Sequence, residues 1–387
     1  GNGNVEVTRD TSNPYSGAVT IPATVTDNTI TYNVTAIGDS AFSDCSELSS
    51  IIIPDAVTEI GRYAFFKCSS LASVIIPSGV TTLKRSTFNR CSSLSSVTIP
   101  NTVNRIDSLA FYGCSSLVSI ILPDGLTTIE YGTFNDCENL ESIDIPSTVT
   151  VLGDFAFEYC ISLDSVILPD GLTSIGYSAF GDCYSLSSID IPNSVSMIES
   201  TAFFLCSNLT SVTLPEGLTS IKEALFYGCE SLESIDIPNS VTSIDGFAFV
   251  SCSNLSNITM PENLTTIGYV AFSDCYSLDS ITLPNSVTFI DDFAFQFCSG
   301  LSSINIPEGI PSISQGTFLE CSSLVTIEIP STVTFLGDSA FSGCTGLVSV
   351  NIPADVTSIG GACFNNCPSL ENIYCDATTP PSLSSNT

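Results

Sequence analysis

The chain has 387 residues, of which 43% are hydrophobic and 12% are charged, so it carries enough apolar side chains for a large core and is not a disordered acidic segment. Eight Lys and Arg stand against 40 Asp and Glu, a formal net charge of −32, which argues against binding to nucleic acid. The sequence contains no His, which excludes sites that depend on an imidazole, and it has no run of about 18 apolar residues that would insert into a membrane.

The first 33 residues predict a β-rich cap. The stretch 24–32 has two arms rich in β-branched residues on either side of a two-residue turn, which is typical of a hairpin. We therefore assign residues 1–33 to an N-terminal β-hairpin cap that covers the open end of the core. We also expect that a signal peptide has been removed from this end.

A repeat of 23 residues follows the cap. Cys recurs at this interval from Cys45 to Cys367, and each of these Cys residues is preceded by Phe and followed by Leu at a distance of three residues. Length alone would suggest two or three domains, but an unbroken period predicts one array. We place this array of about 14–15 units at residues 34–375 and a C-terminal tail at residues 376–387.

One unit shows what each repeat is expected to form. Ile51 and Ile53 alternate as in a strand with one buried face, and Pro54 ends the strand because it has no amide hydrogen. The spacing of Ile60, Ala64, Cys68 and Leu71 is typical of a short helix that faces a core. The sequence therefore predicts an α/β solenoid in which stacked units share one core.

The repeated pattern Leu-x-x-Ile-x-Ile-Pro-x-x-Val-x-x-Ile-Gly-x-x-Ala-Phe-x-x-Cys resembles the BspA-like, Treponema pallidum-type leucine-rich repeat. The resemblance covers about nine-tenths of the chain, and the number of copies makes it specific. It implies a right-handed superhelix of 23-residue units, with a parallel sheet on the concave face and short helical segments opposite. It also implies a secreted or surface-displayed bacterial protein that is associated with adhesion.

The Phe and Cys positions predict structural columns, with Phe65, Cys68, Phe180 and Cys183 as examples. The Cys residues could form a reduced buried column, disulfides or a metal site. We favour the reduced column because equivalent side chains in stacked units point the same way and cannot all pair. Cys363 and Cys375 occupy positions that are apolar in other units, so we expect both to be core residues. We expect no metal and no cofactor.

The position between the two buried residues of each strand should point outward, where solenoids bind their partners. Exposed Ile at this position suggests an interaction surface, whereas Asp144, Asp190 and Asp236 recur every 46 residues. Duplication of paired repeats would also produce that Asp spacing. The Ser residues two positions earlier in each strand form a row that is either structural or part of a binding site. The candidate ligand contacts are Ile52, Ile75, Thr98, Ile121, Asp144, Ile167, Asp190, Thr213, Asp236 and Glu328.

Charge is distributed unevenly along the sequence. Residues 1–105 hold seven Lys and Arg against eight acidic residues, whereas Lys222 is the only Lys or Arg in residues 106–387. The Lys and Arg side chains of residues 1–105 either keep the protein soluble or bind an anionic partner, such as a sulfated glycan or the acidic end of another copy.

The sequence contains no Gly-x-Ser-x-Gly elbow, P-loop, dinucleotide fingerprint or calcium loop, so we expect a non-enzyme. The predicted function is an extracellular or bacterial cell-surface binding module that engages a host or matrix protein, or a glycan, through its concave face. The alternatives are a rigid spacer that displays another domain and a self-associating surface component. We expect a monomer with no nucleic acid partner and no membrane insertion.

Overall fold

A computed structural model describes residues 3–12 and 14–384, which form stacked coils of 23 residues with parallel strands. The chain divides into two compact units, Gly1–Met197 and Ile198–Thr387. In each unit, a coil generally consists of a first strand, a proline turn, a second strand and a segment of consecutive turns, although residues 118–122 follow the course of a first strand without forming one. This architecture confirms the predicted solenoid of parallel strands.

The residues assigned to the cap form an antiparallel hairpin between Thr24–Asp27 and Ile30–Ile37. Asn28 and Thr29 connect the two strands with φ values of 45° and 74°. Two consecutive residues with positive φ are typical of a type I′ turn, whose twist matches that of the flanking strands. The two-residue turn predicted from the sequence therefore joins the strands through the left-handed backbone conformation of Asn28 and Thr29.

The other two strands before the repeats join the array directly. Asn4–Val7 pairs in parallel with Ile30–Ile37, and Gly17–Thr20 pairs in parallel with Leu48–Ile52. Ile30–Ile37 in turn pairs with Glu59–Ile60. The N-terminal residues thus supply neighbours for the strands of the first full coil, while the limit of the cap at residue 33 stays a prediction.

The first strands of successive coils form the first row. Partners are 23 residues apart, as in the pairing of Ser142 with Ser165. After each strand, a proline begins a turn, which is closed in one coil by the bond from the Val149 amide to the Pro146 carbonyl at 3.0 Å. The strands in the first unit are Leu48–Ile52, Ser73–Ile75, Ser96–Thr98, Ser142–Asp144, Ser165–Ile167 and Ser188–Asp190. Those in the second unit are Ser211–Thr213, Ser234–Asp236, Asn257–Thr259, Ser280–Ile281, Ser303–Ile304, Thr326–Glu328, Ser349–Ile352 and Asn372–Cys375.

The second strands form the second row, in which each strand is two residues long and its second residue is buried except at Leu383 in the last strand. Outside the row, an exposed Thr repeats from coil to coil, and the Thr173 hydroxyl donates to the Thr150 carbonyl at 2.8 Å. The strands in the first unit are Glu59–Ile60, Thr82–Leu83, Arg105–Ile106, Thr128–Ile129, Val151–Leu152 and Ser174–Ile175. Met197–Ile198 is a further strand of this type, and the second unit has Ser220–Ile221, Ser243–Ile244, Thr266–Ile267, Phe289–Ile290, Ser312–Ile313, Phe335–Leu336, Ser358–Ile359 and Ser382–Leu383.

The predicted short helices were wrong, because no helix forms in residues 3–12 and 14–384. Two residues of each turn segment have positive φ, for example Tyr63 at 55° and Lys67 at 59°, and a right-handed helix cannot continue through them. Alternate amides donate to the next coil instead of to the preceding turn. Phe65, for example, donates to the Thr87 carbonyl at 2.9 Å. The spacing of 4, 4 and 3 between Ile60, Ala64, Cys68 and Leu71 is compatible with this series of turns as well as with a helix.

Columns of buried residues fill the space inside the coils. The Phe65 and Phe88 rings lie 5.3 Å apart with their planes 2° from parallel, and both are fully buried. Ala, Leu and Ile residues of successive coils are buried around these rings. Because each ring stacks on its neighbours, the core of a coil is completed only by the coils beside it.

The Gly of the Ile-Gly pair permits close approach between coils. A Cβ placed on Gly176 would lie 2.6 Å from the Asp154 amide nitrogen and 2.6 Å from the Gly153 carbonyl carbon. Both atoms belong to the backbone of the preceding coil, so a side chain would force the two coils apart. Glycine is therefore needed here for space rather than for an unusual φ.

Candidate binding face

The outward side chains of the first row form a surface that we call the first-row face. In the first unit, the variable column on this face contains Ile52, Ile75, Ile121 and Ile167, whose side chains are 63%, 71%, 85% and 71% exposed. The residues on either side of each are buried, as Ile120 and Leu122 are beside Ile121. Large apolar side chains with this exposure stand out because neighbouring residues of the same strands are packed into the core.

Polar members of the same column lie between these Ile residues. Thr98, Asp144 and Asp190 are exposed, and Asp144 pairs in register with Ile167 of the next coil. The Ser residues two positions earlier, such as Ser142 and Ser165, are also exposed on this face. The face of the first unit therefore presents one column of hydroxyls beside one column of apolar and polar residues, which alternate between Ile and Asp from Ile121 to Asp190.

The second unit places Thr213, Asp236 and Glu328 in the equivalent column, and all three are exposed. Asp236 accepts a hydrogen bond of 2.6 Å from the Thr259 hydroxyl of the next coil. A cleft of about 390 Å³ lies between Ser211–Thr213 and Ser234–Asp236, and Asp236 lines it. Here the face is polar, without the apolar column of the first unit.

The predicted structural columns lie away from this face. Phe65, Cys68, Phe180 and Cys183 are fully buried. The Cys183 thiol donates to the Phe157 carbonyl of the preceding coil at 3.2 Å, and the same bond recurs along the array. Burial raises the pKa of the equivalent thiol of Cys114, so this side chain acts as a neutral hydrogen-bond donor in the core.

The two Cys residues outside the repeat behave differently. Cys363 is fully buried, as its position among apolar residues predicts. Cys375 lies in register with Ile352 but is exposed, because Asn372–Cys375 pairs with Ser349–Ile352 on one side and with no other strand in the part of the chain that the structure describes. Its expected role as a buried core residue was therefore wrong.

The turn segments carry an acidic and aromatic cluster that the sequence analysis missed. The Asn135 amide donates to Glu158 Oε2 at 2.7 Å, and the Tyr184 hydroxyl donates to Asp182 Oδ1 at 2.8 Å. Burial raises the pKa of Glu158 and of Asp182, and the hydrogen bond to Asp182 raises the pKa of Tyr184 to about 12. Asp182 occupies the same repeat position as Asp136. This recurrence of Asp in the sequence was the signal from which the cluster could have been predicted.

The basic residues of the first coils are partly neutralised. Arg9 pairs with Asp44 at 2.9 Å, and Lys84 pairs with Glu59. Lys67 and Arg90 line a groove of about 710 Å³ on the turn segments, which Asp44 and two further acidic residues, Asp136 and Glu138, also line. The groove therefore has mixed charge, and an anionic partner for it stays a prediction.

The described part of the chain offers neither a cluster of metal ligands nor a membrane-spanning helix. Within residues 3–12 and 14–384, no group of three His, Cys, Asp or Glu side chains is placed to hold a metal ion. The same part of the chain forms no helix long and apolar enough to cross a membrane.

Comparison with known proteins gives a consistent family. The sequence profile described as the BspA type leucine rich repeat region matches residues 22–141, 127–256, 173–302, 220–348 and 291–381. A leucine-rich repeat protein from Bacteroides ovatus is 31% identical over 99% of this chain and 86% of its own, with a TM-score of 0.62. A leucine rich cell surface protein from Faecalibacterium prausnitzii is 30% identical over 97% of this chain and 91% of its own, with a TM-score of 0.51. No curated protein sequence matches the chain.

Proposed function

This chain belongs to the BspA-type leucine-rich repeat family, and on that premise we propose that it is a non-enzymatic binding module displayed outside the cell. The similar protein from Faecalibacterium prausnitzii is described as a cell surface protein, which supports this location. The proposed partner is a host or matrix protein, or a glycan, that lies on the first-row face.

The exposed Ile column of the first unit is the observation that carries this proposal. Ile75 and Ile121 are 71% and 85% exposed although the residues beside them are buried. An apolar side chain in water loses the free energy that burial would provide, about 1.5–3 kcal/mol for a complete Ile. A partner that covers several of these side chains would be stabilised by that free energy. On a surface with no partner, the exposed Ile side chains would contribute nothing.

The rows of hydrogen bonds between coils support a rigid platform for such binding. Beside the second row, Thr hydroxyls bridge successive coils, and in the core, thiols do the same. A surface that is already ordered loses little conformational entropy when a partner arrives. Binding would thus come from many weak contacts over several coils, without an enclosed pocket.

An array of matrix proteins and glycans tests the proposal. We expect the wild-type chain to bind at least one immobilised ligand and Ile121→Ser combined with Ile167→Ser to weaken that binding at least tenfold. Tyr159→Ser is the matched control, because Tyr159 is 46% exposed on the turn segment of the same unit. If the wild-type chain binds nothing on either array, the rigid spacer is the better description.

A further inference from the structure

We propose that the first-row face of the first unit binds an extended β-1,4-linked polysaccharide of amino sugars, with one sugar ring on each coil and protonated amino groups on Asp144 and Asp190. This inference rests on the proposed function and names the class of its ligand. It is carried by the alternation of side chains on four consecutive coils, by the distance between coils and by the charge of this part of the chain.

Four consecutive coils present Ile121, Asp144, Ile167 and Asp190 at the same outward position. The two Ile side chains are 85% and 71% exposed, and both Asp residues are exposed as well. The surface therefore repeats after two coils rather than after one. A ligand that fits it along its length should also repeat after two of its own building blocks.

The distance between coils matches a chain of sugars. Paired strands such as Ser142–Asp144 and Ser165–Ile167 are separated by about 4.8 Å. The core rings in these coils, Phe134, Phe157 and Phe180, follow one another at 5.5 and 5.4 Å. A pyranose ring in an extended β-1,4-linked chain occupies about 5 Å, close to this strand spacing. One ring can therefore rest on each coil without loss of register over four coils.

The alternation also has a counterpart in the polymer. Each sugar of an extended β-1,4-linked chain is turned over relative to the one before it. One edge of the polymer thus presents its amino group at every second ring, about 10 Å apart, the separation of two coils. Asp144 and Asp190 are two coils apart, which corresponds to about 10 Å at the usual strand spacing, and Ile121 and Ile167 would meet the apolar faces of the rings between them.

Charge selects an amino sugar over an acidic or neutral one. Residues 106–197 contain acidic side chains but no Lys or Arg, so an anionic polysaccharide would be repelled. A protonated amine on a carboxylate makes a charge-assisted hydrogen bond, which is about twice as strong as a neutral one. Exposed hydroxyls at Ser142 and Ser165 lie beside the column and can bond to ring hydroxyls.

A basic peptide fits the same face less well. An extended peptide presents side chains on one face at intervals of about 7 Å. This interval corresponds neither to one coil nor to two, so only occasional side chains of the peptide would meet an Asp. The geometry therefore favours the sugar polymer, and a basic peptide becomes a control in the test.

The first experiment measures binding of the glucosamine hexasaccharide by calorimetry at a slightly acidic pH, where its amines are protonated. We expect it to bind at least tenfold more tightly than the N-acetylated hexasaccharide, cellohexaose or hexalysine, and to bind more weakly as salt is added. Equal binding of the N-acetylated hexamer would overturn the amine contact. Equal binding of hexalysine would reduce the interaction to unspecific charge, which would also overturn the proposal.

The second experiment compares two double variants with the same change of charge and the same spacing. Asp144→Asn with Asp190→Asn should weaken binding of the glucosamine hexamer at least tenfold. Asp124→Asn with Asp170→Asn alters exposed residues of the proline turns, also two coils apart, and should weaken it less than threefold. Equal loss in both variants, or loss in neither, would refute the proposal. If the hexamer does not bind but another ligand depends on Ile121, this inference fails and the proposed function stands.

Discussion

Replacement of Phe157 by Ala tests how strongly the phenylalanine column joins neighbouring coils. The Phe157 ring is fully buried and lies 5.5 Å from the Phe134 ring and 5.4 Å from the Phe180 ring, with interplanar angles of 7° to both. The change removes two stacked pairs, each worth about 0.5–1.5 kcal/mol beyond burial. With the lost burial and the new cavity, the total cost is about 3–5 kcal/mol.

Because each coil contacts only its neighbours, we expect this loss to remain local. Hydrogen exchange followed by mass spectrometry measures it, since the Phe157 amide donates to the Ala179 carbonyl at 2.8 Å and is protected while the two coils stay together. A local loss of about 3–5 kcal/mol should lower protection in these coils by about two to four orders of magnitude. Protection around Phe272, in the second unit, should not change.

Tyr159→Ala serves as the control for this experiment, because it removes a partly exposed ring from the turn segment of the same coil. Its effect on exchange should be less than tenfold. Equal loss of protection along the whole chain after Phe157→Ala would refute nearest-neighbour stability. A loss below tenfold in the coils around Phe157 would refute the assigned role of the stacked rings.

Three further predictions concern the thiols, the buried carboxylates and the glycines. Cys375 is exposed, whereas burial raises the pKa of Cys160 far above the ordinary range; we expect native alkylation, mapped by mass spectrometry, to modify Cys375 first and Cys160 only after unfolding. Burial raises the pKa of Asp182, so its protonation stabilises the fold at low pH, and this contribution is lost as pH rises through its folded pKa. The Tm should therefore increase as the pH is lowered from 7 toward 3.8, the ordinary pKa of Asp, and Asp182→Asn should reduce that increase. Gly176→Ala should cost about 1–3 kcal/mol in urea unfolding because of the close backbone, whereas Gly171→Ala should change stability by less than about 0.5 kcal/mol.

Each of these predictions has an outcome that contradicts it. Rapid native alkylation of Cys160 would mean that the coils open more readily than the packing indicates. An unchanged pH profile in Asp182→Asn would assign the acid dependence to other groups, and the half-buried Glu158 is then the next variant to measure. Equal stability of the two Gly variants would show that neighbouring coils can separate by a few tenths of an ångström at little cost.

The sequence was sufficient to predict the period, the strands and the side chains that face the core. Phe65 and Cys68 could be assigned to buried columns because a 23-residue period with apolar residues at fixed positions leaves few alternatives. The outward direction of Ile121 followed from the two-residue alternation of strands. These features depend on patterns that extend over many copies, so no single residue had to be interpreted alone.

The turn segments could not be predicted in the same way. Tyr63 and Lys67 adopt positive φ although neither residue type favours it, because their amides bond to the next coil. A contact 22 residues away therefore overrides local preference. A comparison of the equivalent positions contains a signal, since Gly132 and Gly316 occupy the column of Tyr63, and Gly113 occupies the column of Lys67.

Three backbone hydrogen bonds per coil between the turn segments run in the same direction along the first unit. Tyr63, Phe65 and Lys67 donate forward to the next coil, and the same three positions of later coils do so as far as Tyr159. Peptide dipoles aligned in this way sum to a macrodipole, as in a helix but with opposite sense: its carbonyl end lies toward the first coils and its amide end toward the later ones. The Lys and Arg side chains of residues 62–105 lie toward the negative end, and residues 106–197 carry acidic side chains toward the positive end. The charges of the side chains are thus ordered along the first unit so that they complement the field of its own backbone.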